Sequence, residues 1–150
     1  MSAISTMKAS IRQALRTRLW SVSGIPAVSN RKLENVELDL KALAGQIWVR
    51  EFTRFSELSG RSLGGSAGIT RSFQQQGNYM VDLFFPKGTS TTAADTLEGS
   101  VLDAFAPFTT LTASGYSVLI VSSSASAQQD DSDGWYFRPL LIRWECYVSQ

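Results

Sequence analysis

Residues 77–105 read GNYMVDLFFPKGTSTTAADTLEGSVLDAF, and this stretch decides the fold. Its first part alternates. Asn78, Met80, Asp82 and Phe84 fall on one side, and Tyr79, Val81, Leu83 and Phe85 fall on the other. That period of two, among β-forming residues, predicts a strand, which the preceding residues extend back to Thr70. Gly77 predicts a bulge or kink, and Pro86, with no N–H to donate, ends the strand at Phe85. Thr89-Ser90-Thr91-Thr92 then supplies N-cap candidates for a helix. Its apolar stripe is Ala94, Leu97, Val101, Leu102 and Phe105, and Pro107 stops it. A long strand followed at once by an amphipathic helix is the kernel of an α+β unit.

Upstream, Ile4, Met7, Ile11, Leu15 and Leu19 make one stripe at helical spacing, with Ser2 or Ser5 as cap and Gly24 and Pro26 as stop. Lys8, Arg12, Arg16 and Arg18 lie on or beside the opposite face, which reads as a solvated surface or as a docking face for an acidic partner or nucleic acid. Residues 24–45 read as loop, with a weak helical period and a short extended candidate at Val36-Glu37-Leu38. Gln46 to Phe55 reads as a strand carrying Arg50 and Arg54 on the face of Trp48 and Phe52. Glu57 to Gly68 holds four glycines and three serines in twelve residues and predicts a flexible hairpin connection. Downstream, Ser117–Ser123 reads as a strand, Ser122–Gly134 as a polar loop, and Trp135–Ser149 as a closing strand, bulged at Pro139. The order α-β-β-α-β-β predicts one domain over residues 1–150: an antiparallel sheet, helices on one face, and a long hairpin loop.

Composition excludes much chemistry. The chain has 150 residues, no histidine and one cysteine, with 43% hydrophobic and 18% charged residues. These values suit a globular domain. Ser-His-Asp and Cys-His nucleophile pairs are impossible, as are His-containing zinc sites. Cys146, among strand apolars, reads as a small packed hydrophobe. Met1–Ser10 lacks the apolar core of a signal peptide, and Val118–Val121 is the longest aliphatic run, far short of the ~20 residues of a membrane helix. A cytoplasmic milieu is expected.

Site motifs fail in turn. Gly60 and Gly65 have P-loop spacing, but Ser66 and Ala67 stand where Lys and Ser/Thr are needed. Asp131-Ser132-Asp133-Gly134 resembles part of a calcium loop, but the first and twelfth positions would be Gln129 and Leu140. A solvated turn is the plainer reading of Asp130, Asp131 and Asp133. Glu51, Asp82 and Glu145 could converge as catalytic acids only if one cleft joined them. Phe73, between Arg71 and Gln74-Gln75-Gln76, suits a core or an interface equally. The net charge of +1 hides a split: residues 1–75 carry eleven basic and five acidic residues, and residues 76–150 carry three and eight. Either the two signs mix in the folded surface, or a basic patch meets a neighbour's acidic one, as in head-to-tail rings. A near-neutral pI of about 7.9, without a dense basic patch, argues against a nucleic-acid module.

Together, "IRQALRTRLW", "NRKLENVEL", "IWVREFTRF", "GRSLGGSAGITRS", the opening stretch and "DDSDGWYFRPLLIRWECYV" resemble the tail terminator (tail completion) proteins of tailed bacteriophages, including lambda-like terminators. The resemblance covers nearly the whole chain in element order. It implies a structural, non-enzymatic protein without cofactor, metal or membrane partner. Such a protein forms a homo-oligomeric, hexameric ring on the head-proximal end of the tail tube. It stops tube growth and joins the head–tail connector, and genome DNA passes its lumen without sequence-specific binding. Assembly in the host cytoplasm and residence in the virion neck follow. Another neck protein (joining or stopper) and a tail-tube protein are the alternatives. Contacts are expected from loops and strand edges, with Arg50, Arg54, Arg61, Leu63, Arg71, Phe73, Asp130, Asp131 and Asp133 as candidates: the four arginines either meet a neighbour's aspartates or line the lumen through which DNA passes.

Overall fold

A computed structural model describes the backbone of residues 3–65, 68–131 and 133–149, and the side chains of 4–60, 74–131 and 133–147. Its elements are α1 (Ala3–Trp20), β1 (Arg31–Lys32), β2 (Trp48–Gly65), β3 (Gly68–Pro86), α2 (Thr91–Ala104), β4 (Thr110–Ala113), β5 (Tyr116–Ala125), β6 (Gln129–Asp130) and β7 (Trp135–Ser149). The strands form one sheet in the order β1-β2-β3-β7-β5-β4, with β6 beside β7. It curls as a half-barrel against the two helices.

The α+β class stands, and three details of the expected layout change. The sheet is not wholly antiparallel, because β1 runs parallel to β2. Strands β1, β4 and β6 add to the four expected, so the order becomes α-β-β-β-α-β-β-β-β. The extended piece of residues 24–45 is Arg31–Lys32, not Val36–Leu38. Two- and four-residue strands are too short to show a period, so only their pairing reveals them.

Alternation sorts the sheet into two faces. Val49, Tyr79, Val81, Leu83, Phe85, Leu140, Ile142, Trp144, Val118 and Ile120 face the helices, where Met7, Ile11, Leu15, Leu19, Ala94, Leu97, Val101 and Phe105 meet them. Ile4, expected in that stripe, is 39% exposed at the helix start. Ser90 caps α2 by accepting the Ala93 N–H at 3.2 Å. A smaller cluster forms on the opposite face, where Leu43, with Leu38 and Leu40, covers Trp48, Phe84 and Trp135. Trp48 stacks on Phe84 with ring centroids 3.8 Å apart.

The arginines of the basic face of α1 are engaged within the chain while remaining partly exposed, and Lys8 is exposed. Arg12 pairs with Glu34, Arg16 with Glu51 at 2.7 Å, and Arg18 donates to the Ala104 carbonyl at 2.8 Å. Lys8 and Arg12 each sit 5.0 Å from the Phe55 ring. The Glu51 side chain is fully buried, so Arg16 supplies its counter-charge.

A line of irregularity crosses the sheet. The register of β2 shifts between Phe55 and Leu58, and that of β5 shifts between Ile120 and Ser122. Between them, Phe55 pairs with Gly77, Gly77 with Trp144, and Trp144 with Ile120. Bulges bend a strand and raise its twist. Gly77 lets Trp144 close over the bend, and the Gln75 side chain donates to the Ser56 carbonyl freed by the β2 bulge, at 3.1 Å. The bulge expected at Pro139 is absent: β7 keeps register with β3 from Trp135 to Ser149. Pro139 instead lies between the ladders of β5 and β6, accepting the Ser126 N–H at 2.8 Å.

Candidate assembly surfaces

Past the bend, β2 and β3 continue as an arm. The Glu57–Gly68 connection is not an irregular loop, since pairing runs from Leu58↔Gln75 to Gly65↔Gly68. Glycine and serine composition does not forbid a ladder, because its bonds are main-chain. Among the described residues β7 pairs with β3 as far as Ser72, and β2 and β3 pair with each other beyond it. Four residue pairs at ~3.4 Å per residue give about 13 Å of ribbon. β2 also has an open outer edge from Glu51 onward, because β1 pairs only with Val49 and Arg50. A two-stranded ribbon is marginal alone in water, and open edges invite a partner. Arg61, Leu63, Arg71 and Phe73 stand on this arm by backbone. Ser62 pairs with Arg71 and Gly60 with Phe73, but their side chains lie outside the described residues.

Asp130, Asp131 and Asp133 sit at the other end of the sheet, in the β6–β7 turn. Asp131 donates its N–H to Trp135 O at 2.8 Å and accepts the Asp133 N–H on Oδ1 at 3.2 Å. Gly134, at φ +93°, closes the turn. The turn is an acidic knob, with Asp130 and Asp133 exposed. β3 alone spans 19 residues, a contour of roughly 60 Å, so arm tip and knob lie far apart on one chain.

Arg50 and Arg54 stand on the sheet face away from the helices. Arg50 is engaged within the chain: it donates to Asp82 at 2.7 and 3.0 Å and lies 5.1 Å from the Phe84 ring. Arg54 is exposed and, among the described residues, has no ionic partner. Among the described ion pairs, Arg50–Asp82 joins the basic first half to the acidic second half, whereas Arg16–Glu51 and a cluster at Arg138 pair charges within one half. Arg138 is buried, pairs with Asp95 and meets Glu98 at 3.5 Å, tying β7 to α2. The hydrogen bond to Asp95 is the main cause that raises its pKa. The Arg138 cluster was missed in the sequence, although the parity of 136, 138, 140 and 142 puts a charge on the buried face.

No cleft joins the candidate acids. Glu51 is on the helix-facing side with Arg16, Asp82 is opposite with Arg50, and Glu145 accepts from Gln74 at 3.0 Å further along. Among the described residues no three His, Cys, Asp or Glu come together as a metal site. Cys146 is buried, which pushes its thiol pKa up. Two grooves occur: one of about 440 Å³ between α1 and β4, lined by Thr17, Thr110 and Thr112, and one of about 360 Å³ at the bend, lined by Gln76, Asn78 and Arg143. The second groove is also lined by Ser56 and Glu145, but among the described residues no hydrogen bond joins them, and Glu145 accepts from Gln74 and Tyr147. Among the described residues no helix is long and apolar enough to cross a membrane.

The model of a family described as phage tail terminator protein matches residues 10–144. No curated protein matches the chain by sequence. One solved structure superposes with a TM-score of 0.64 at 15% identity, covering 97% of this chain and 96% of its own, which speaks to the fold alone. The chain belongs to the phage tail terminator protein family.

Proposed function

We propose that copies of this chain close into a ring that caps the head-proximal end of the phage tail tube, stops its polymerisation and offers the surface on which the head–tail connector sits. A structural role in the phage tail follows from the family. The finer reading is carried by one observation: the arm and the acidic knob are different surfaces at opposite ends of one sheet. A contact between unlike patches is heterologous, and it closes into a ring when the rotation fits. The ribbon beyond Ser72 and the open edge of β2 gain pairing and packing in such a contact. Six copies and a lumen wide enough for passing DNA are the form the family resemblance implies. Arg54, Arg61, Leu63, Arg71 and Phe73 would belong to one side of the contact, and Asp130, Asp131 and Asp133 to the other.

Native mass spectrometry and negative-stain microscopy of the purified protein test this. Closed rings that bind the ends of assembled tail tubes support a terminator. Indefinite tubes would indicate a tube subunit. Rings that bind only head connectors would indicate another neck protein.

A further inference from the structure

We infer that the row Arg54–Asn78–Arg143, on the sheet face away from the helices, is the seat for the acidic knob of a neighbouring copy of this chain. The inference rests on the ring reading and adds to it a named contact. Arg54 pairs with Asn78, and Asn78 with Arg143, in a straight row across β2, β3 and β7. Neighbouring strands lie ~4.8 Å apart, so the two arginine stems rise about 10 Å from each other with an amide between them. Both arginines are exposed. Arg50 on this face is paired with Asp82, while Glu145, hydrogen-bonded to the neutral Gln74 and Tyr147, keeps its charge and lines the same groove as Arg143. Arg54 and Arg143 are the cations of this face that no carboxylate pairs with among the described residues.

The surroundings fit a docked turn. The groove of about 360 Å³ opens beside Asn78 and Arg143. The adjacent row, Phe52–Met80–Leu141, is half-buried and apolar. Two exposed cations match a turn that carries Asp130, Asp131 and Asp133, of which Asp130 and Asp133 are exposed. The knob cannot reach the row on its own subunit. It sits where β7 begins, and Arg143 lies eight residues along, about 27 Å away at ~3.4 Å per residue. The two patches therefore satisfy each other only between copies, in the heterologous sense a ring needs.

Charge reversal with rescue tests the contact. Ring formation by the wild type, by Arg54→Glu/Arg143→Glu, by Asp130→Lys/Asp133→Lys and by all four changes together is followed by sedimentation and native mass spectrometry. Each pair alone should weaken assembly by about 100-fold, because like charges then face each other across the contact. The fourfold variant should regain at least about tenfold of that loss. All four positions are exposed, so unchanged circular dichroism and melting are expected. Arg54→Gln/Arg143→Gln, which adds no repulsion, should weaken assembly less. Wild-type rings that survive either reversal, or reversals that do not rescue each other, overturn the contact while the ring reading stands. Reversed rings that form but no longer cap tubes also overturn it, and reassign the row to the tube protein. A wild type that never forms a ring overturns both.

Discussion

Gly77→Ala should unfold this protein more easily by about 2 kcal/mol. A Cβ at position 77 would lie 2.3 Å from the Arg54 carbonyl oxygen and 2.4 Å from Trp144 Cζ2. Optimal contacts between such atoms are about 3.5–4.0 Å, so both are more than 1 Å too close. Neither neighbour yields cheaply. The carbonyl belongs to β2 beside its bulge, and Trp144 is buried edge-on to Phe55, with ring centroids 5.4 Å apart. Overpacking of this kind costs about 1–3 kcal/mol, and two rigid neighbours place it at the upper end. Alanine recovers about 0.5–1 kcal/mol by restricting the unfolded chain, which leaves a net loss of about 2 kcal/mol. For a chain of this size that is a melting shift of roughly 4–8 °C. Urea unfolding at fixed protein concentration measures it, with the concentration fixed because assembly adds to apparent stability. A second arm removes the ring: in a Trp144→Leu background, Gly77→Ala should cost at least about 1 kcal/mol less, the carbonyl clash remaining. An alanine variant within about 0.5 kcal/mol of the wild type, or one with no coupling to position 144, would refute the view that this glycine sets the bend.

Three further outcomes follow. Arg16→Ala should cost about 3 kcal/mol in urea unfolding, because it strands the fully buried Glu51 carboxylate; Arg16→Met with Glu51→Leu should cost much less, and a single-variant loss under about 1 kcal/mol would contradict the pairing. Burial, followed by the charge of Glu51, holds the Tyr79 phenol well above the usual 10.0, with Arg16 opposing. A folded pKa above the unfolded one gives stability that is complete below pH 10 and is lost as pH rises through the folded value, so Tyr79→Phe should melt less steeply with pH above 10. Equal alkaline slopes in the two proteins would count against this. Phe108 is 86% exposed at φ +71°, where a bulky side chain is strained. Phe108→Asn should leave monomer stability unchanged or raise it by up to about 1 kcal/mol, and a loss above about 1 kcal/mol in thermal melts would show an unseen packing role.

Long, strongly periodic elements were legible in advance. The stripes of α1 and α2 and the alternation from Asn78 to Phe85 each repeat enough times for the period to declare itself. The caps and prolines that bound α2 were equally local. Short strands were not legible: Arg31–Lys32 and Thr110–Ala113 are strands only because a neighbour supplies hydrogen bonds. The glycine-rich run after Glu57 misled for the same reason in reverse. Its composition favours a loop, but the facing strand continues opposite it as far as Gly65↔Gly68. The Gly77 irregularity was foreseen, but the extra residue is accommodated in the facing strand β2, because the glycine is the position that Trp144 covers.

For the contact surfaces, the sequence supplied the charges and the structure sorted them. The basic first half and acidic second half were visible as counts. Which charges remain for a partner was not, because an ion pair joins residues far apart in the chain: Arg16 with Glu51, Arg50 with Asp82 and Arg138 with Asp95. Arg143 illustrates the difference. In the sequence it is one basic residue in an acidic half; in the sheet it stands across Asn78 from Arg54.

The sequence by itself determined that this is a histidine-free α+β chain with two amphipathic helices, a long alternating strand and a resemblance to phage tail terminators. Those properties are carried by composition and by spacings of two to four residues, which act locally. The tertiary structure decided that the glycine-rich run is an arm, that the helix arginines are spent inside the fold, and that the acidic turn lies at the far end of the sheet from the arm. Each depends on strand register, which is set by contacts between residues distant along the chain and leaves no period to read.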